Sequence, residues 1–452
     1  MASFPPDLMD PADTDAANAM RDLYAVKIRS IWTAVKHEPL SFWAINLYLL
    51  FEYVRPQTSY PSIDILPWDK VVLVIALIAL FGERRAVAVR NGADKLMGLF
   101  LIAVLVSSAF AAYAGISFSH LSEFTDWLVI YFLITRIVTT ERRFFIFYLA
   151  FLIYNFKMSL HGFRTWAGRG FAWENWGVTG APGWFQNSGE FGIELCIFFP
   201  LCYYFIAALW QNWGRVKRLF FLAFPFTAVA SIAATSSRGA VLGIAGAVVF
   251  MTMQSRHRIK AIAFAAAVLA ALYFLIPPQS LARFYTAGTD KTSVERLVRW
   301  KDGLNMLSNH PFFGIGYFNW DKYYASHYST VTGHYGLPHN IFIQAGAELG
   351  IFGLGAFGML IVATFVNNYK TRKLVPKSEN PFLYTTALGL DAAMIGFLVS
   401  GSFITVLYYP YFWIDLSLVV ALRTVAKQAA QRAPAPPWYA APEFIDPVPP
   451  AI

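Results

Sequence analysis

The chain has 452 residues, of which 57% are hydrophobic and only 14% charged, with a formal net charge of +9. A soluble domain carries roughly a quarter charged residues, so this composition excludes an ordinary soluble protein and describes a polytopic membrane protein. No nucleic-acid partner is expected.

The N-terminus is acidic, with Asp10, Asp13 and Asp15 and no apolar run of signal-peptide type. The first span is therefore expected to serve as an uncleaved signal. Residues 18–35 alternate apolar and basic side chains at helical spacing, which predicts an amphipathic helix on the inner leaflet within a cytoplasmic segment 1–38. A membrane helix takes about 20 mostly apolar residues. About twelve candidate spans are predicted, centred on 40–54, 69–82, 96–115, 124–138, 143–157, 190–209, 218–234, 238–254 and 259–276 within 39–276, and on 339–366, 381–405 and 408–422 within 339–424. The three shortest (40–54, 69–82, 408–422) read either as spans or as re-entrant segments paired with a neighbour. The stretch 277–338 separates the two groups as one long loop. The tail 425–452 is Pro- and Ala-rich from Ala433 onward and reads as disordered and cytoplasmic.

Charge sets the orientation. With the N-terminus inside, every cytoplasmic segment holds at least three basic residues, among them Arg84, Arg85 and Arg90, Arg215, Lys217 and Arg218, and Lys370, Arg372 and Lys373. Both termini are then inside. The twelve basic residues left on the outer side stand out: Arg55 and Lys70, Lys157, Arg164 and Arg169 before the sixth span, Arg238 at a helix mouth, and Arg283, Lys291, Arg296, Arg299, Lys301 and Lys322 in the long loop. Cys196 and Cys202 share one apolar run but not one helix face, so they read as core thiols.

The segment from Pro277 to His339 is the most informative. It is basic and aromatic, contains His310, His327, His334 and His339, and ends at Leu337-Pro338-His339-Asn340, where an apolar helix begins. Such a loop suggests a lipid-phosphate substrate handled at the bilayer surface. Pro338 suits a first helical turn, which places His339 in that turn, where backbone N–H groups favour an anion. A neutral imidazole there can accept a proton from a hydroxyl; the alternative is an interfacial histidine that only caps the helix. Arg238, flanked by Ser236, Ser237 and Gly239, matches a phosphate geometrically, or else snorkels to headgroups. Arg283, Arg296 and Arg299 read either as a phosphate clamp or as a solvated basic surface, Arg296 and Arg299 being spaced to share a helix face. Trp300, Tyr317, Phe318 and Trp320 suit sugar stacking or simple packing.

Asn187 and Glu190 open the sixth span, while Glu348 and Asp391 lie inside later ones. Carboxyls at membrane depth face the bundle interior, as site or as structural hydrogen bond. No H-E-x-x-H, C-x-x-C or phosphate-cradling G-x-x-x-x-G-K-[ST] occurs, so neither a metal nor another cofactor is called for.

Three groups in order carry a family resemblance: Thr235-Ser236-Ser237-Arg238-Gly239; Arg299-Trp300 followed by Asn309-His310-Pro311-Phe312-Phe313-Gly314-Ile315-Gly316; and Pro338-His339-Asn340-Ile341-Phe342 leading to Glu348-Leu349-Gly350. From about residue 180 to 425 the chain resembles the O-antigen ligase and polymerase superfamily of bacterial inner membranes. Near the N-terminus, Glu52-Tyr53-Val54-Arg55-Pro56-Gln57 looks like the ligase branch. The resemblance implies an all-α, glycosyltransferase-C-like membrane protein of about 12 transmembrane helices with one long helical periplasmic loop. It implies an inverting, metal-independent glycosyltransferase of the inner membrane with its active site on the periplasmic face. The donor is then a glycan on undecaprenyl pyrophosphate and the acceptor a sugar hydroxyl of lipid A–core, with membrane lipids around both. His339 is the implied proton acceptor, and Arg238 with Arg283, Arg296, Arg299 and Arg169 the implied pyrophosphate ligands. Asn187, Glu190, Glu348 and Asp391 are candidates for structural or substrate-positioning roles. Polymerases and protein O-oligosaccharyltransferases share these motifs, and the short tail leans towards a ligase. A flippase or channel for lipid-linked sugars needs charges along a pore, whereas here they gather at one face.

Overall fold

The computed structural model describes residues 11–83, 91–172, 177–276, 278–328 and 336–432. Among them the chain is all helical. The helices are α1 (Pro11–Tyr24), α2 (Ile28–Val35), α3 (Leu40–Leu49), α4 (Pro56–Ser59), α5 (Trp68–Gly82), α6 (Gly92–Ala109), α7 (Ala114–Ile137), α8 (Glu141–Gly168) and α9 (Ser188–Leu209). There follow α10 (Arg215–Ala234), α11 (Arg238–Gln254), α12 (Arg258–Leu275), α13 (Pro278–Tyr285), α14 (Lys291–Asn309), α15 (Trp320–His327), α16 (Ile341–Leu374), α17 (Pro381–Gly401) and α18 (Pro410–Arg432).

Seven described helices are long and apolar enough to cross a membrane: α6, α8, α9 with the turn that follows it, α10, α12, α16 and α17. Each of the twelve expected spans is helical, but α5 is only 15 residues long, and Leu40–Val54 and α11 are shorter apolar helices. The remaining two, α7 and α18, carry more polar residues, and α18 is buried along most of its length, so neighbouring helices shield Asp415 and Ser417 from lipid.

The stretch 18–35 is not one helix. Val26 takes a left-handed φ of 50° between α1 and α2, and α2 has one face exposed, with Ile28 and Trp32 outward, while Ile31, Ala34 and Val35 pack against the core. The tail from Ala433 and Arg84, Arg85 and Arg90 lie outside the described residues.

At the centre, α9 packs against α17, α10 and α11. The approach is close because a Cβ on Gly396 of α17 would stand 2.7 Å from the Cys196 carbonyl of α9. The interior is mainly aromatic and aliphatic, with Cys196 and Cys202 buried as free thiols and scattered polar groups such as Asn155, Glu194 and Asp415.

Two glycines at the top of α16 explain two of the sequence groups at once. Gly350 breaks α16 with φ 66° and ψ −166°, a conformation open essentially only to glycine. The break leaves carbonyls without helical partners, which membrane interiors penalise. The loop after α14 fills them: Ile315 N–H donates to the Ala347 carbonyl at 2.9 Å and Gly316 N–H to Glu348 at 3.1 Å, while Ile351 N–H donates to Pro311 at 2.8 Å. Gly314 (φ 71°) must lack a side chain because its Cβ would stand 2.4 Å from the Glu348 carbonyl group. The same loop ends α6 four residues before α7, since Ala112 N–H donates to the Ile315 carbonyl.

The Glu52–Gln57 group forms a π-helical turn closed by Arg55 in the left-handed region. Its guanidinium lies over Gly183, where a Cβ would come within 2.3 Å, and Lys157 donates to the Val54 carbonyl at 3.1 Å. This ties the first span to the loop that leads into α9.

Candidate active site

The starts of α9, α11 and α16 and the ends of α10 and α17 meet at one end of the bundle, roofed by α13 and α14. They enclose a cavity of about 580 Å³ whose walls include Asn187, Glu190, Ser237, Arg238, Arg283, Arg296, His339 and Thr405. Asn187 and Thr405, 218 positions apart in sequence, thus share one space.

His339 stands outside α16, not in its first turn. Asn340 is the cap: its Oδ1 accepts from Phe342 N–H at 2.9 Å and Ile343 N–H at 3.1 Å, and the helix begins at Ile341. The expected anion site on free helix N–H groups is therefore already filled by the Asn340 side chain. His339 itself has φ 49°, unusual for a residue with a Cβ. Two contacts hold it there. Its N–H donates to Thr405 Oγ1 at 2.8 Å, and Trp300 Nε1 donates to the Pro338 carbonyl at 2.9 Å. Trp300 thus braces this turn. The imidazole Nδ1 is buried and has no hydrogen-bond partner among the described residues. Burial, then the charges of Arg296 and Arg299, push the His339 imidazole down to about 4.

Arg238 is the first residue of α11, after a turn in which Ser236 takes a left-handed φ of 55° and the Ser237 hydroxyl caps the helix by accepting from Ala240 N–H. Its guanidinium pairs with Asp290 at 2.9 Å. Arg296 also faces the cavity, from α14, with its Nε buried and unpartnered among the described residues. Arg299 does lie one turn along the same helix, but it is buried behind the cavity and paired with Glu295 at 3.0 Å. It reaches His339 through its charge.

Asn187 and Glu190 form a capping box at the start of α9, and Tyr409 donates to Glu190 Oε1 at 3.1 Å. Both line the cavity with polar atoms held in place. The other candidates lie elsewhere. Glu348 accepts from Trp320 N–H at 3.1 Å and from Tyr408 at 2.8 Å, so it anchors the loop against α16. Asp391 is bound by Asn368 and Arg372 towards the opposite end of α16. Arg169 caps the end of α8 and is not among the cavity walls. Thr405 and Asp290 were not foreseen. Thr405 follows α17 with no motif around it, and Asp290 reads in sequence only as an N-cap before Ser293.

Residues 222–358 match the family model described as O-Antigen ligase. An O-antigen ligase of Pseudomonas aeruginosa (strain PAO1) is 25% identical over 232 residues, which cover 50% of this chain and 54% of that protein. Over residues 222–358 the chain resembles the O-antigen ligase family. It spans about half the length of the curated relative it matches. The segment matching the O-antigen ligase family runs from within α10 to within α16, and so contains Arg238, Arg283, Arg296, Arg299, His339 and Gly350. Asn187 and Glu190, from α9, complete the cavity from outside that segment.

Proposed function

We propose that the chain is an O-antigen ligase that transfers a glycan from undecaprenyl pyrophosphate to a sugar hydroxyl of lipid A–core, with inversion and without a metal. The observation that carries this reading is the shared cavity, which brings together Arg238, Arg283, Arg296 and the His339 imidazole, whose Nδ1 has no hydrogen-bond partner among the described residues. The arginines would hold the pyrophosphate and take up the charge that develops as it leaves. His339 would accept the acceptor hydroxyl's proton as its oxygen bonds to the anomeric carbon. The bond from that carbon to the pyrophosphate oxygen breaks with its electron pair on oxygen, and attack from the opposite face inverts the centre.

The positive-inside rule adds orientation. Arg215, Lys217 and Arg218 begin α10 and Lys370, Arg372 and Lys373 end α16, at the end of these helices away from the cavity. The cavity would therefore face the periplasm, with α13 and α14 over it, and both termini would be cytoplasmic in the inner membrane.

The test is transfer in vitro from undecaprenyl pyrophosphate-linked glycan to purified lipid A–core, with chelator present, comparing wild type with His339→Ala. Product from the wild type and at least about a hundredfold less from the variant is expected for a lost general base. A wild type that lengthens the donor glycan but does not modify lipid A–core would replace this reading with that of a polymerase.

A further inference from the structure

Arg238 is already engaged. Its Nη1 donates to Asp290 Oδ2 at 2.9 Å and its Nη2 to Oδ1 at 3.2 Å, while Nη1 also donates to the Arg283 carbonyl at 2.7 Å. A bidentate grip of this kind is how arginine holds a phosphate as well as a carboxylate. The Arg238 and Asp290 side chains are 11% and 21% exposed, too shielded for an ordinary solvent-screened pair. Asp290 is fixed from its other side by the first turn of α14, where the Ser293 N–H donates to Oδ1 at 3.2 Å and the Ser293 hydroxyl donates to Oδ2. Hydrogen bonds from Arg238 and Ser293 hold its carboxyl well below the usual carboxylate range, so it is charged. Arg283 and Arg296 face the same cavity, and the Arg296 Nε has no partner among the described residues. The carboxylate thus sits on one member of an arginine cluster whose other members, Arg283 and Arg296, also line the cavity.

We infer that Asp290 is a positioning residue that occupies Arg238 as an internal anion until the donor pyrophosphate displaces it, and that re-forms the pair as the product pyrophosphate leaves. This rests on the reading of the cavity as a pyrophosphate site. Asp290 belongs to the short turn between α13 and α14, so its release would also free the roof of the cavity at the moment the donor arrives. Competition between two anions for one guanidinium lowers affinity for substrate and product alike. Its benefit is in turnover, because a leaving group bound by several arginines otherwise departs slowly.

Asn and Ser cap helices about as well as Asp, so Asp290→Asn and Asp290→Ser remove the charge and keep the start of α14. Calorimetric titration of the full chain in detergent with inorganic pyrophosphate, free of divalent cations, is expected to show binding about tenfold tighter in both variants than in wild type. With the lipid-linked donor, KM and kcat are expected to fall together, the signature of a more firmly held product. Wild-type binding that is unchanged or weakened in both variants, or a kcat that falls while KM stays, would make Asp290 a plain structural support for Arg238 and overturn the inference. Absence of pyrophosphate binding in wild type and both variants would instead remove the pyrophosphate site itself, and Asp290's role with it.

Discussion

The imidazole of His339 is neutral over the whole physiological range because burial and two nearby guanidinium groups oppose a further charge. For a base this has a signed consequence. The free protein's His339 has its pKa pushed down to about 4, below the ordinary histidine value, so the active neutral form persists as pH falls and is lost only as pH drops through the lowered value. The acid limb of kcat/KM should therefore lie near 4 rather than near the usual histidine range. Bound pyrophosphate would offset the charges of Arg296 and Arg299, so the acid limb of kcat should stand at higher pH than that of kcat/KM. Replacing Arg296 by Gln removes one opposing charge and should move the kcat/KM limb upward. A limb in the unperturbed histidine range for wild type, unmoved in Arg296→Gln, would contradict the arrangement around His339.

At the scale of elements, the break in α16 sets where its first segment, and so His339, is presented. Alanine at Gly350 would place a Cβ 2.3 Å from the Phe312 carbonyl in a backbone region that side chains avoid, and is expected to cost at least about 2 kcal/mol. Gly355, one turn further along the same helix, has no atom within 4 Å of an added Cβ, so Gly355→Ala should change stability little. Thermal unfolding of the two variants side by side checks this pair. Asn340→Ala should cost about 1 kcal/mol through loss of the cap, and an undiminished melting temperature would show that the turn is held by Trp300 and Thr405 alone.

For the whole molecule, the cavity and the basic helix ends lie at opposite ends of the bundle, which makes orientation measurable. The native thiols Cys196 and Cys202 are buried, so an added surface cysteine reports with little background. Ala287, in the turn after α13, and Lys377, between α16 and α17, are both exposed. A membrane-impermeant maleimide applied from the periplasmic side should label Ala287→Cys and not Lys377→Cys until the inner membrane is opened. The reverse pattern would place the cavity in the cytoplasm.

Composition and hydrophobic runs by themselves determined the helical membrane class and roughly where the apolar helices lie, because a bilayer admits few backbone solutions and each helix satisfies its own hydrogen bonds locally. The basic residues of the proposed phosphate site were also legible, since basic side chains are conspicuous against an apolar chain. What hydropathy could not supply was the partner of each group. Glu348, Asp391 and Arg299 carry the same charge as residues that line the cavity, yet they serve hydrogen bonds and ion pairs elsewhere, and only packing separates the two fates. The helix start at Ile341, the left-handed turn at His339 and the pairing of Arg238 with Asp290, 52 positions away, arise from contacts between elements distant in sequence. Such contacts exist only once α9, α11, α14, α16 and α17 are assembled, which is why the tertiary structure alone decided them.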